Sequence, residues 1–101
     1  MPPFRTKKEA FDWLSSGEKT IDVRKGKPFR GEVAVYLSGQ RVLRLKIAKT
    51  ETGILRSIIR ADNFKLIIPS ALNSEEAIAY FHKLYGQCND GFFTAYYVNK
   101  T

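Results

Sequence analysis

The 101-residue chain is long enough to bury one hydrophobic core and too short for two, so we expect a single domain over residues 1–101. Its 44% hydrophobic and 27% charged residues are typical of a soluble globular protein. The sequence has neither the roughly 20-residue apolar run of a membrane span nor a signal peptide, which predicts a cytoplasmic protein without membrane association, and its net charge of +7 favours anionic partners.

The first predicted element is a short helix. Thr6 followed by Glu9 has the spacing of a capping box, in which each side chain bonds the other residue's backbone amide. The helix should end at Ser16, because Gly17 readily adopts the positive φ found just past a helix. Its buried stripe would consist of Ala10, Phe11 and Leu14, with Trp13 beside it as a core or lid residue or, alternatively, as an exposed stacking platform.

The stretch 17–24 then predicts a turn that opens into a strand. Ile21 and Val23 alternate with Thr20, Asp22 and Arg24, so the strand should bury the first pair and present the other three on an open face. On that face the Asp22 carboxylate would orient the Arg24 guanidinium, leaving it able to hold a phosphate or a base edge. Lys19 has the wrong parity for this face and belongs to the turn, from which it would reach over the end of the strand.

A cation-rich loop follows at residues 25–30. Gly26 and Pro28 interrupt any strand ladder, and the backbone amides freed at Gly26 would join the neighbouring cations around a phosphate. Phe29 lies among these cations, as in sites where a base stacks beside a neutralised backbone. The alternative is that Phe29 anchors the loop to the body of the domain.

Two strands joined by a tight turn come next. The first, at about Glu32–Leu37, should direct its odd-numbered apolar residues inward, and Gly39 suits the hairpin turn. The second, at about Arg41–Thr50, alternates an apolar face with a basic one. The residues expected inward are Val33, Val35 and Leu37 on the first strand and Leu43, Leu45 and Ile47 on the second, which leaves Arg44 and Lys46 outside.

The remaining pattern is helical up to a final strand. A short helix is predicted around residues 54–59, and a second turn capped by Asp62 should end at Pro69. Asn73 should cap a third helix that ends at Gly86 and buries Ala77, Ile78, Phe81, Leu84 and Tyr85. A turn at Asn89-Asp90-Gly91 leads into residues 92–98, which are apolar on both parities and therefore predict an interior strand.

Residues typical of metal, redox or nucleotide chemistry are sparse. His82 has no partner at ligand spacing, so no metal site and no cofactor are expected. Cys88 cannot form an internal disulfide, which fits a reducing compartment. The sequence contains no Gly-rich phosphate loop of Walker or Rossmann spacing and no nucleophile elbow.

The charge is concentrated in one third of the chain. Residues 19–49 carry nine basic and two acidic residues, and the rest carries eight of each. Such a block suits a polyanion, because each phosphate that is neutralised releases condensed counterions. A solvated basic face without a partner is the plainer alternative.

The pattern Gly17-x-Lys19-x-x-Asp22-x-Arg24 after a short helix resembles the signature of the ASCH family, although that family most often has Glu where this chain has Asp22. The order of the remaining segments is also similar to the family's. The resemblance implies an α+β fold, a small PUA-like mixed β-barrel of about five strands flanked by three to four helices. PUA-like barrels are associated with RNA and modified bases.

Both lines of argument favour binding of RNA or a modified nucleoside in a basic cleft walled by the first helix and Trp13. Arg24 would read a phosphate or a base edge, and the surrounding cations would neutralise phosphates. The expected nucleic-acid-binding residues are Lys19, Thr20, Asp22, Arg24, Lys25, Lys27 and Arg30. We expect a monomer, and the sequence indicates no particular protein partner.

A small hydrolase is the alternative. Some ASCH proteins act as amidohydrolases on acetylated cytidine through a Lys, a Thr and a Glu, and nuclease activity is attributed to others, so the resemblance also allows an amidohydrolase or a ribonuclease. Lys19 matches that lysine, but Asp22 occupies the threonine's position and no glutamate lies near Pro69. If the protein is an enzyme, Lys19 and Asp22 are the candidate catalytic residues. A third reading, a protein-interaction adaptor, has no specific sequence signal.

Overall fold

The structure, a computed structural model, describes residues 3–86 and 91–100. Within them it contains five strands and four helices, which confirms the expected α+β fold. The elements are β1 Pro3–Arg5, α1 Lys8–Ser16, β2 Ile21–Lys25, β3 Val33–Ser38, β4 Arg41–Gly53, α2 Leu55–Ile58, α3 Phe64–Ile67, α4 Ser74–Tyr85 and β5 Phe93–Lys100. No helix in these two ranges is long and apolar enough to cross a membrane. The predicted turn that starts at Asn89, and Cys88, lie outside the described residues.

The strands form one curled sheet in the order β1-β3-β4-β5-β2. β1 is parallel to β3, and the other neighbouring pairs are antiparallel. The hairpin between β3 and β4 turns at Gly39 with a φ of 61°, as predicted. β4 extends further than predicted, to Gly53, and its pairing with β5 shifts between Ile47 and Lys49. An extra residue of this kind bends a strand and increases its twist, which favours the curling of the sheet.

The two edge strands, β1 and β2, are joined by a side chain. The guanidinium of Arg24 on β2 donates to the carbonyl of Arg5 on β1 at 2.9 Å and to the hydroxyl of Thr6 at 3.1 Å. The guanidinium carbon lies 4.4 Å from the centre of the Phe4 ring. The sheet is therefore a half-barrel, and Arg24 links its two edge strands across the gap, or seam, between them.

Two hydrophobic clusters lie on opposite faces of the sheet, and β5 contributes to both. Phe93 and Ala95 pack into the cluster formed with α2, α3 and α4. Tyr96 and Val98 pack into the second cluster, which also contains buried side chains of α1 and β3. The prediction that the last strand is interior and covered on both sides is confirmed.

The inward parity predicted for β3 is wrong. Ala34 and Tyr36 are fully buried, whereas Val33, Val35 and Leu37 are half-buried on the opposite face. Ala34 lies opposite Leu45 of β4, which is 2% exposed, so the inward face of β4 was predicted correctly. Apolar side chains occur on both parities of this strand, and the curl of the sheet places the ring of Tyr36 in the interior beside Phe4.

The predicted capping box at Thr6 is also wrong. Helix α1 begins at Lys8, and the preceding residue, Lys7, makes no side-chain cap. The Thr6 amide donates instead to the carbonyl of Leu37, which continues the pairing of β1 with β3. Its hydroxyl donates to the carbonyl of Phe4 and accepts from Arg24. Strand pairing at the unpredicted β1 therefore displaced the start of the helix.

The other helix ends are mostly as predicted. Gly17 ends α1 in the left-handed region, with a φ of 89°. The side chain of Asn73 accepts from the Glu76 amide at 2.9 Å and so caps α4. Asp62 does not cap α3, because its carboxylate lies 3.6 Å from Arg60 and the following residue takes the cap position.

Candidate functional site

A cavity of about 170 Å³ opens beside the seam between β1 and β2. The end of β1 forms one side of it, α1 and α4 form its walls, and the turn and strand of residues 19–24 form its floor. Its lining combines polar groups with apolar side chains. The lining residues are Arg5, Thr6, Lys7, Ala10, Trp13, Lys19, Asp22, Val23, Arg24, Ile68, Tyr80, Phe81, Leu84 and Tyr85.

Lys19 is the buried cation of the cavity floor. The residue is only 3% exposed, and its ammonium donates to the backbone carbonyls of Ile21, at 3.0 Å, and Ile67. Burial lowers its pKa from 10.5 to about 8, and the guanidinium of Arg24 also lowers it, while the Asp22 carboxylate opposes the shift. An ammonium has three N–H donors, so one donor remains for a ligand.

Asp22 and Arg24 are neighbours on one face of β2, as predicted. The Nε of Arg24 donates to the Asp22 Oδ2 at 2.8 Å. The expectation of an open face is wrong, because Asp22 is 5% exposed and the Arg24 side chain only 22%. The curl of the sheet covers this face with Phe4 and Tyr36, which lie 4.4 and 5.7 Å from the guanidinium. Three of the five N–H groups of Arg24 are thus used within the protein.

Aromatic side chains of α1 and α4 form the apolar wall. Trp13 lines the cavity, as predicted for a residue that walls the cleft. Leu84 and Tyr85 were expected in the core, but they are 39% and 41% exposed and line the cavity. Tyr80 also lines the cavity, and it was not among the residues predicted to do so. Its position four residues before Leu84 places both on one side of α4, which is the signal that would have identified the wall.

The remaining predicted site residues lie outside the cavity. Thr20 belongs to the backbone ladder, since its amide donates to Leu66 and its carbonyl accepts from Val98. Lys25, Lys27 and Arg30 are exposed and absent from the lining. The Lys25 ammonium lies 6.0 Å from the centre of the Tyr85 ring, at the outer edge of the wall.

Phe29 is held against the sheet. Its amide donates to the Tyr96 hydroxyl at 3.0 Å, and its ring meets Phe4 edge-on with centres 5.7 Å apart. These contacts agree with the alternative reading, in which Phe29 anchors the loop. The ring nevertheless remains 57% exposed.

The polar lining is not arranged as a metal site. Across residues 3–86 and 91–100, no group of three His, Cys, Asp or Glu side chains is positioned to hold an ion. His82 is partly buried, and its Nε2 has no hydrogen-bond partner in these ranges. The cavity can instead hold a neutral ring. A cavity of roughly 150 Å³ admits benzene, and here such a ring would meet an ammonium donor and a carboxylate acceptor at its edge.

No protein-family model matches the sequence, and no curated protein is significantly similar to it. Several solved structures nevertheless share the fold. Hypothetical protein PH0355 has a TM-score of 0.78 and 12% identity over 98% of this chain and 97% of its own. A mutant of ZmASCH from Zymomonas mobilis has a TM-score of 0.70 and 13% identity, matching 97% of this chain and 66% of its own.

PF0455 from Pyrococcus furiosus, solved by NMR, has a TM-score of 0.66 and 14% identity over 97% of this chain and 94% of its own. Identities of 12–14% show a common fold and nothing finer about the site. The fold implied by the resemblance of residues 17–24 to the ASCH signature is confirmed.

Proposed function

Since the chain has the fold of an ASCH domain, we propose that it binds RNA by taking one base, or a modified nucleoside, into the cavity beside Lys19 and Asp22. The observation that carries the proposal is the pairing of a buried donor and a buried acceptor on the floor of a ring-sized, aromatic-walled cavity. Base edges present donors and acceptors side by side, and bases stack well on aromatic side chains.

Charge supports a base rather than a phosphate in the cavity. The Asp22 carboxylate would repel a phosphate on the floor, and Arg24 is already engaged by Asp22, Arg5 and Thr6. The cations that bind phosphates should therefore lie outside. Lys25, Lys27 and Arg30 are exposed on the loop next to the cleft and suit that role.

The single tryptophan provides the test, because Trp13 lines the cavity and its fluorescence will report a ring stacked against it. We expect saturable changes with some members of a nucleoside panel that includes N4-acetylcytidine. Asp22→Asn should weaken binding at least about tenfold, since hydrogen bonds to charged groups contribute roughly 1.5–3 kcal/mol. Tyr85→Ala is a second cavity variant on a partly exposed residue, and the exposed Lys65→Gln is the matched control.

Thermal unfolding of each variant separates lost binding from lost folding. If no nucleoside changes the Trp13 signal, and no RNA changes fluorescence anisotropy at about 50 mM salt, where electrostatic binding is strong, the proposal is wrong. Equal effects of Asp22→Asn and Lys65→Gln would also contradict it, because they would place binding outside the cavity.

Hydrolysis is the second candidate, and the low pKa of Lys19 favours it. An amine with a pKa of about 8 is partly neutral near pH 7 and can act as a base or a nucleophile. Incubation with N4-acetylcytidine and with labelled RNA, followed by chromatography, tests for turnover. Products that form with the wild type and are absent with Lys19→Met would assign an enzyme. Binding without turnover leaves a binding module.

A further inference from the structure

The outer face of β3 and β4 is a second feature with a binding chemistry of its own. We define the convex face as Val33, Val35 and Leu37 of β3 together with Val42, Arg44 and Lys46 of β4. In the register, Leu37 lies opposite Val42, Val35 opposite Arg44 and Val33 opposite Lys46, so all six residues share one side of the sheet.

Among the described residues, neither hydrophobic cluster includes any residue of the convex face. Val42 is 59% exposed, and Arg44 and Lys46 are also exposed. The valines and leucine of β3 are half-buried, which fits a face covered by its own neighbouring side chains rather than by a helix.

The cations of this face are uncompensated. In the described ranges, salt bridges engage Arg24, Arg41, Arg56 and Arg60, but none engages Arg44 or Lys46. Glu32, the acidic residue that shares a shallow depression with Lys46, makes no ion pair with it. The face therefore keeps its positive field for a ligand.

Arg5 connects the convex face to the cleft. It lies opposite Leu37 in the pairing of β1 with β3 and is exposed, while its backbone carbonyl is held by Arg24 at the cavity. From β1 to β4 the distance across the sheet is about 10 Å, and Arg44 and Lys46 are about 7 Å apart along β4. Arg5, Arg44 and Lys46, which we call the basic track, therefore lie on one side of the sheet, and Arg5 at one end of the track also lines the cavity.

We propose that the basic track binds the phosphates of the RNA segment that flanks the base held in the cleft. This inference rests on the proposed function. A row of cations without aromatic neighbours suits a linear polyanion better than a protein, because protein interfaces centre on aromatic and other large apolar side chains, and the convex face has no aromatic residue. Its contacts are to the sugar-phosphate backbone and carry no sequence preference.

The test uses two probes, a nucleoside 5′-monophosphate read by Trp13 fluorescence and an eight-nucleotide RNA read by anisotropy. The variant Arg44→Glu with Lys46→Glu is compared with Lys65→Glu and Lys83→Glu, two exposed cations of α3 and α4 whose reversal changes the net charge equally. The first pair should weaken RNA binding about 30-fold or more and leave monophosphate binding within twofold. The salt dependence of log K should flatten by about 1.4, corresponding to two lost phosphates.

The control pair should weaken RNA binding less than threefold. If both pairs lose the same RNA affinity, or if the first pair loses none, the basic track does not bind the RNA. Binding of an acidic peptide to this face in preference to RNA would also contradict the proposal. Failure of the proposed function is seen separately, since it removes monophosphate binding from the wild type. Circular dichroism should be unchanged in all variants, because the four substituted side chains are exposed.

Discussion

Lys19 shows how a residue that is costly to bury is retained in a small domain. Its ammonium is removed from water and, among the described residues, donates to two backbone carbonyls, those of Ile21 and Ile67. Its pKa is lowered to about 8, mainly by desolvation. At about 1.4 kcal/mol per pKa unit the charged form costs about 3 kcal/mol of stability below pH 8. Because ionisable groups with strongly shifted pKa values cluster at functional sites, Lys19 is a candidate functional residue.

The pH dependence of stability follows from this shift. Since the pKa of Lys19 is lower in the folded than in the unfolded state, the unfolded state binds more protons between about pH 8 and 10.5, and stability should rise with pH there. Above pH 10 the rise should be opposed by Tyr36, because burial raises its pKa and favours the neutral folded form. The free energy of unfolding should therefore increase from pH 7 to 9.5.

Denaturant unfolding at several pH values measures the effect. Lys19→Met should lose most of the increase, whatever its stability at pH 7, whereas Lys65→Met should retain it because that ammonium is exposed. A Lys19→Met protein with the same pH profile as the wild type would show that the lysine does not titrate as inferred.

Sequence alternation predicted the site residues better than their surroundings. The neighbouring positions of Asp22 and Arg24 follow from a period of two, which any strand has. The burial of Lys19 follows from Ile67, a residue 48 positions away whose carbonyl meets the ammonium. No local pattern encodes that contact, so the sequence indicated a cation at the strand end and not one enclosed by the fold.

At the level of elements, β1 depends on Arg24. A three-residue strand has few backbone bonds of its own, and the guanidinium adds contacts to Arg5, Thr6 and the Phe4 ring. Arg24→Lys keeps the charge but loses the planar fork of donors that reaches Asp22, Arg5 and Thr6 at once. We expect the Thr6 amide, which bonds Leu37, to exchange with solvent about tenfold faster or more, while β4 amides such as that of Leu45 change much less.

Arg41→Lys is the matched control for hydrogen exchange. Arg41 also bonds a carboxylate, Asp12, at 2.8 Å and lies 4.3 Å from an aromatic ring, that of Phe11, but its side chain is 47% exposed. Exposed pairs of this kind contribute little, so Thr6 exchange should not change. If Arg24→Lys accelerates exchange evenly over the sheet, the arginine stabilises the whole domain and not the seam.

The elements that sequence reasoning missed share a cause. β1 is too short for a periodic signal, and its pairing with β3 is non-local, joining Phe4 to Tyr36. The wrong parity of β3 has the same origin, since Ala34 and Tyr36 are inward only because the sheet curls around them. Longer elements with local signals, such as α4 with its Asn73 cap, were predicted closely.

On the scale of the whole molecule, the basic third of the chain does not form one patch. Lys19 and Arg24 line the cavity, while Arg44 and Lys46 lie on the convex face. Arg24 lies on the inner face of the curled sheet, and Arg44 and Lys46 lie on its outer face. Net charge predicted an anionic partner, but only the three-dimensional arrangement divides these cations between a cavity floor and an outer surface.

The position of β5 has a consequence for biosynthesis. This strand comes after the other four in chain order but lies between β4 and β2, and it supplies side chains to both hydrophobic clusters. A ribosome that has produced residues 1–90 therefore holds a nascent chain in which β2 has no strand to pair with and neither cluster is complete. Protease resistance should consequently develop only after β5 has left the exit tunnel, and until then chaperones will meet apolar surface rather than a partly finished domain.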